Sequence, residues 1–385
     1  MTEDRRKAAH RKRRIIMNND GNDAWRHRPE EPKTVEQFLS KRTAPLVGSQ
    51  VDAIFYCTGV FDMYTHRSDQ SELRFHVDRG MEDWGPWLIS QGRDALQITV
   101  EFGHLHAMEV FWSMRMNDTH DSGNPALFAK WKTEHPQYLM GRKGDEFPYG
   151  GGRWSAVNYA IPEVRDKVFR ILKDVCTRYD VDGVELDFFR HPVYFKPQMT
   201  GDDVTQEHCD MMTELLGRLR EMTEAVGRDR GRPMLIAARV PDSVGYAKAI
   251  GLDLVRWLED DLLDMMVGSG YFHLEPWESF VALGKRYDVP VYAGISASRI
   301  EDPQNPEREG DIEVWRGEAL RAWDAGVSGI YTFNRFNPVD PIFRELGDPG
   351  LLRTLPRKYE FIAGHAIDRW LKDGSRFLKP EGKTG

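Results

Sequence analysis

The stretch Tyr179-Asp-Val-Asp-Gly-Val-Glu-Leu-Asp-Phe-Phe189 decides the reading of this chain. Residues 181–188 read as a strand, and side chains on a strand alternate between its two faces. Glu185 and Asp187 therefore share one face, while Val184, Leu186 and Phe188 take the other. In a closed barrel the apolar set faces the helices, which leaves two carboxylates pointing inward. Such groups are costly inside unless they are paired or catalytic. Lying about 6 to 7 Å apart along one strand, they repel and raise at least one pKa. A carboxylic acid that keeps its proton near neutral pH can serve as a general acid. The other reading of Glu185 is a buried scaffold ion pair with Arg115 or Arg239.

Outward from this strand, short β-rich runs alternate with amphipathic stretches from about residue 14 to about residue 335. Strands are expected over 14–18, 52–57, 107–114, 181–188, 233–239, 263–267, 290–295 and 328–333. Helices fall between them. The clearest follows Pro162, where Val164, Val168, Ile171, Leu172 and Val175 recur at helical spacing. Eight strands with intervening helices point to an α/β fold, a single (β/α)8 barrel occupying 14–340. A long polar insertion over 115–158 follows the third strand, with its own short helix near Leu127 to Trp131. Residues 341–385 form an extension with a last helix over 359–371, and the end from 379 reads as disordered. A doubly wound sheet is the alternative architecture, but no Gly-rich dinucleotide fingerprint follows any strand, and no cofactor is expected.

The 385 residues are 40% hydrophobic and 30% charged, with a net charge of -8. That balance argues against nucleic acid as a partner. Arg5, Arg6, Lys7, Arg11, Lys12, Arg13 and Arg14 crowd the start, and residues 1–13 read as a solvated basic tail. The apolar run behind them is too short for a secretory signal, and no run approaches membrane-spanning length, so a cytoplasmic location is expected. Cys57, Cys176 and Cys209 are odd in number and widely spaced, which fits core thiols in a reducing compartment. Cys57, near a strand end, is the one conceivable nucleophile.

Barrel chemistry belongs to the strand C-terminal ends. There the sequence places Asn19 and Asp20 after strand one, and Arg115, Asn117 and Asp118 after strand three. Arg190 and His191 follow strand four, and Arg239 and Asp242 follow strand five. Tyr271, His273 and Glu275 come after strand six, and Asn334 after strand eight. Arg115 and Asn117 share a face, from which they could clamp sugar hydroxyls or orient Asp187. Trp112, Tyr194, Tyr271 and Phe336 are candidate stacking platforms.

These residues resemble a known group. The run from Tyr179 to Asp187, preceded by Asn158-Tyr-Ala-Ile-Pro-Glu-Val-Arg165, is similar to the family-10-like glycosyl hydrolases. Met108-Glu-Val-Phe-Trp-Ser-Met-Arg-Met-Asn-Asp118 and Gly329-Ile-Tyr-Thr-Phe-Asn334 resemble that group's third and eighth strands. The resemblance implies a barrel that hydrolyses glycosides, with Asp187 matching the family's aspartate at the end of strand four. Two departures narrow it. Where the family-18 chitinases carry their catalytic Glu, this chain has Phe189. Strand seven, where many retaining barrel glycosidases hold a Glu, has no carboxylate until Glu301.

The expectation is cleavage of a glycosidic bond in an oligosaccharide by two carboxylates, with Asp187 as nucleophile or base. Glu185 then tunes Asp187 or binds a hydroxyl. The proton donor is sought across the barrel in Asp242, Glu275 or Asp118. One rival is a metal-dependent hydrolase or lyase, but His104 and His106 precede the third strand, and His191 and His273 lack an obvious third ligand. The other is a non-catalytic carbohydrate-binding barrel.

Overall fold

Eight parallel strands close on themselves in the computed structural model, which describes residues 2–74, 81–300, 311–364 and 366–379. They are β1 (Ile15–Asn19), β2 (Val51–Tyr56), β3 (Glu109–Arg115), β4 (Gly183–Asp187), β5 (Leu235–Val240), β6 (Met265–Gly268), β7 (Val291–Ser296) and β8 (Gly329–Phe333). Each pairs with its sequence neighbours, and β1 closes the ring against β8, with Ile16 beside Tyr331. The fold is a (β/α)8 barrel. Each expected strand is present within about two residues of its expected bounds.

Helices outside the ring bury one face each. The main ones are α2 (Val35–Ser40), α3 (Ala95–Leu105), α4 (Pro162–Arg178), α5 (Gln206–Arg230), α6 (Leu254–Glu259), α7 (Trp277–Tyr287) and α8 (Ile312–Ala325), all preceded in the chain by α1 (Glu3–Ala9). Their ends follow local chemistry. Asp94 and Asp311 accept backbone N–H groups at the starts of α3 and α8, and Gly231 and Gly326 close α5 and α8 at positive φ.

Two apolar layers result. Val184, Leu186 and Phe188 join the outer layer between strands and helices. Ile16, Phe55, Phe111, Leu235, Met265, Tyr292, Tyr331 and Phe333 belong to the inner one, which fills the barrel. Gly183 makes room for it: a Cβ there would lie 2.4 Å from the Phe111 ring and 2.5 Å from the Leu235 carbonyl oxygen. The glycine of the Asp-Gly pair is thus required by packing inside the barrel.

Three expectations are corrected. Residues 1–13 are not a solvated tail, because α1 packs across the base of the barrel. Arg13 is fully buried and forks onto Glu109 at 2.6 and 3.0 Å, and Arg5 reaches Glu224 at 2.6 Å and Asp264 at 3.0 Å. Partners about one hundred to more than two hundred residues away make this basic segment part of the fold. The long last helix is also absent. Among the described residues of 359–371 only Ile367–Trp370 is helical, since Gly364 (φ 89) and Ala366 (φ 64) turn left-handed ahead of it. The helix expected near 127–131 within the insertion falls at Lys130–Glu134, among short 3-10 turns. Glu301 and residues 380–385 lie outside the described residues. Among the described residues no helix is long and apolar enough to cross a membrane.

Candidate active site

Strand register builds the site. Arg115 on β3, Asp187 on β4 and Arg239 on β5 are direct cross-strand partners, so one carboxylate sits between two arginines in a single inward row. One step deeper, Ser113, Glu185 and Ala237 form the next row. The inward orientation of Glu185 and Asp187 expected from alternation is what the structure has.

Asp187 is 1% exposed and is held from four directions. Its Oδ1 accepts from Arg239 Nε at 3.0 Å and from the backbone N–H groups of Phe189 and Arg190, each at 2.9 Å. Its Oδ2 accepts only from the second arm of Arg239, at 2.6 Å. A carboxylate offers about four lone-pair sites, so Oδ2 retains an open one. The Arg239 guanidinium carbon lies over the Phe333 ring, 3.8 Å from its centroid. Burial would lower its pKa, but Asp187, Tyr331 and Glu185 outweigh this and raise it.

Glu185 is fully buried. Its Oε2 accepts from the Ser113 hydroxyl and, at 3.1 Å, from the Tyr331 hydroxyl, while its Oε1 has no hydrogen-bond partner. Burial and the neighbouring Asp187 charge push its pKa up to about 7. The scaffold reading of Glu185 fails in its stated form: Arg239 forks onto Asp187, and Arg115 bonds Asp118 at 3.0 Å.

The mouth continues around the ring. Arg42 donates to Asn19 Oδ1 at 2.9 Å and to Asp20, and Asn19 donates to Asp23 at 2.9 Å. Asp23 also accepts from Tyr56 at 3.1 Å. Burial alone would raise Asp20, but Arg42 and Arg115 hold it below the usual carboxylate range. Burial raises Asp23, and here the neighbouring Arg42 does not reverse it. Asp118 is buried, yet His120 and Arg115 hold it well below the usual range. Burial pushes the Cys57 thiol up, as in a core cysteine.

His120 Nδ1 bonds Asp118 at 2.8 Å, and Arg190 bonds His120 Nε2 at 2.9 Å. His191 Nδ1 accepts from the Thr119 N–H at 3.1 Å. Burial drives the His191 imidazole pKa well below its ordinary value. Asp118, His120 and His191 each place a potential ligand atom within 4.8 Å of the others, so His191 has companions the sequence did not reveal. Arg115 and Arg190 bond directly to this group and place positive charge where a cation would bind.

Other expected residues stand apart from the row. Asp242 accepts from His273 Nδ1 at 2.6 Å and from the backbone of Leu274 and Glu275, an arrangement that fixes a loop. Glu275 pairs with Lys379 at 3.0 Å. Asn117 spends its side chain on the backbone of Val157 and Val193, tying the insertion to the loop after β4. Trp112 and Tyr194 are fully buried in the outer layer, bonded to Thr58 and to the Phe188 carbonyl, and cannot be platforms. Tyr271 remains at the rim beside Trp370, their rings 6.4 Å apart and nearly parallel. Phe336 is capped by Arg42 at 4.3 Å, and Asn334 donates to Ser298 at 2.5 Å.

Sequence reasoning missed Asp23, Arg42, Ser113, His120 and Tyr331. The alternation that placed Glu185 inward also places Ser113 and Tyr331, on the strands containing Phe111 and Phe333. Arg42 follows a surface helix and carries no such signal.

Residues 85–210, about a third of the chain, match the family described as glycosyl hydrolase-like 10. That segment contains Arg115, Asp118, Glu185, Asp187 and Arg190. No curated protein sequence matches the chain. Among solved structures, it is similar to alpha-L-fucosidase isoenzyme 2 from Paenibacillus thiaminolyticus, at 13% identity and a TM-score of 0.54, over 89% of this chain and 49% of that one. The chain thus spans about half the length of the fucosidase. It is also similar to the glycoside hydrolase domain of PgaB (BpsB) from Bordetella bronchiseptica, at 12% identity and a TM-score of 0.53, over 88% of this chain and 98% of that one. At such identities the likeness is one of fold. The barrel that carries the matched segment is of the kind on which those two structures are built.

Proposed function

We propose that the protein cleaves a glycosidic bond in an oligosaccharide at the C-terminal mouth of the barrel, with Asp187 as nucleophile or base. The observation that carries this reading is the unequal loading of Asp187: three donors on Oδ1 and one on Oδ2. The carboxylate is fixed in orientation while one oxygen keeps a lone pair for an anomeric carbon or a water proton. Arg239 orients it, and Glu185, one row deeper, tunes its charge.

The proton donor must be a carboxyl that holds its proton. Asp20 and Asp118 are held in the opposite direction, and Asp242 and Glu275 are committed to loop contacts. Asp23, in the short 3-10 turn after β1 and raised by burial, fits the role.

A second reading has its own support, because a buried Asp–Arg fork is also a structural device. In that case the barrel binds sugar without cutting it. Activity on an oligosaccharide library read by mass separates the two. Turnover by the wild type that vanishes in Asp187→Asn supports hydrolysis. Binding by both with no turnover by either overturns it.

A further inference from the structure

Three guanidinium groups at the mouth have no carboxylate partner among the described residues. Arg74 is 3% exposed, lies 3.7 Å over the Trp25 ring, and has two guanidinium nitrogens, Nε among them, without an acceptor. Asp118, Arg115 and Asp83 all act on its charge, which places it within electrostatic reach of the Asp187 row. Arg153 spends one nitrogen on Ser122 at 3.1 Å and leaves Nε bare, with Arg369, Asp118 and Arg190 as its charged neighbours. Arg190 donates to a neutral acceptor, His120, and its Nε is also bare. Arg239, although paired with Asp187, keeps one nitrogen unsatisfied while fully buried.

Leaving such donors without acceptors is costly. Arg5, Arg220 and Arg299 also leave nitrogens bare, but each is ion-paired to Asp264 or Glu318. The unpaired set gathers at one end of a chain whose net charge is -8. Asp20, Asp118 and Asp187 are already matched by Arg42, Arg115 and Arg239. Positive charge is left over at the mouth, with planar donors suited to an anion with two or more oxygens.

We infer that the sugar bound here is acidic: an oligosaccharide bearing a uronate carboxylate or a sulfate ester, seated against Arg74, Arg153 and Arg190. This rests on the saccharide reading above and names its substrate class. The neutral ring would lie over the Asp187 row, and the anionic substituent would accept the bare N–H groups.

Calorimetry with the full chain tests it. The probes are uronate tetrasaccharides, sulfated tetrasaccharides, and the same molecules after carboxyl reduction or desulfation. The acidic members should bind at least about tenfold more tightly than their neutral counterparts, and the margin should shrink in high salt. Which acidic set binds distinguishes carboxylate from sulfate. Arg74→Met should abolish most of that margin. Without sugar it should melt no lower than the wild type, since it removes an unpartnered buried charge. Equal or tighter binding of the neutral forms, or no binding of any acidic probe, overturns the inference. Acidic probes bound but never cut would instead sink the hydrolysis reading, and neutral probes preferentially cut would sink only this one.

Discussion

Asp187 and Arg239 face each other across adjacent strands and lock as a fork, Nε to Oδ1 at 3.0 Å and the terminal nitrogen to Oδ2 at 2.6 Å. Removing one partner leaves the other charged and buried. Asp187→Ala should destabilise the fold by about 3–5 kcal/mol. Asp187→Ala with Arg239→Met should cost clearly less than the two single changes added together. Urea unfolding of the four proteins measures the coupling, and strict additivity would show that the fork contributes nothing.

Glu185 gives stability a pH dependence of definite sign. Its pKa stands at about 7 in the fold, against an ordinary value of 4.5. Below the lower value both states are protonated and the native state bears no penalty. As pH rises, the unfolded chain releases its proton first, and stability falls until the folded pKa is passed. Glu185→Gln should therefore gain on the wild type at pH 8, by up to on the order of 3 kcal/mol, and gain little at pH 4. Melting curves at the two values decide it, and an equal difference at both would refute the shift.

Asp23 as proton donor makes its importance depend on the leaving group. Asp23→Asn should cost roughly 10²–10⁴-fold on an alkyl or sugar leaving group. It should cost far less on a dinitrophenyl glycoside, which departs without a proton. Equal losses on both substrates would point to a positional role through Asn19 and Tyr56.

Asp118, His120 and His191 have metal-ligand chemistry, yet Arg115 and Arg190 bond directly to Asp118 and His120. Positive charge at that range works against a dication. Purified protein should carry zinc or manganese well below one equivalent, and EDTA should change neither melting temperature nor turnover. Stoichiometric metal by mass spectrometry would move the chemistry to this cluster.

How far the sequence could be read follows from the range of the interactions involved. Strands and helices rest on local periodicity, and the β4 alternation alone placed Glu185 and Asp187 inward. Cross-strand register is not local. Nothing in the sequence says that Arg239 rather than Arg115 takes Asp187, or that Arg115 is drawn to Asp118. Trp112 departs from expectation for a different reason, and a local one. Its residue type suits a platform, but its parity, shared with Val110 and Met114, sends it outward into the helices. Asp242 stood at the expected strand end, and only the path of the following loop shows that its oxygens are taken. The basic N-terminal segment looked solvated because Glu109, Glu224 and Asp264, its partners, lie far along the chain.

That last arrangement bears on how the molecule is made. Helix α1 is synthesised before the barrel floor it covers, yet Arg5 finds Glu224 and Asp264 only after more than two hundred further residues have emerged. Closure of β1 on β8 waits longer still. Contacts of such sequence separation slow folding. Until β8 arrives, the nascent chain exposes an unclosed sheet edge and an uncovered barrel floor. The window for aggregation is therefore set by translation speed over the stretch from β6 to β8, and chaperone demand should be greatest there.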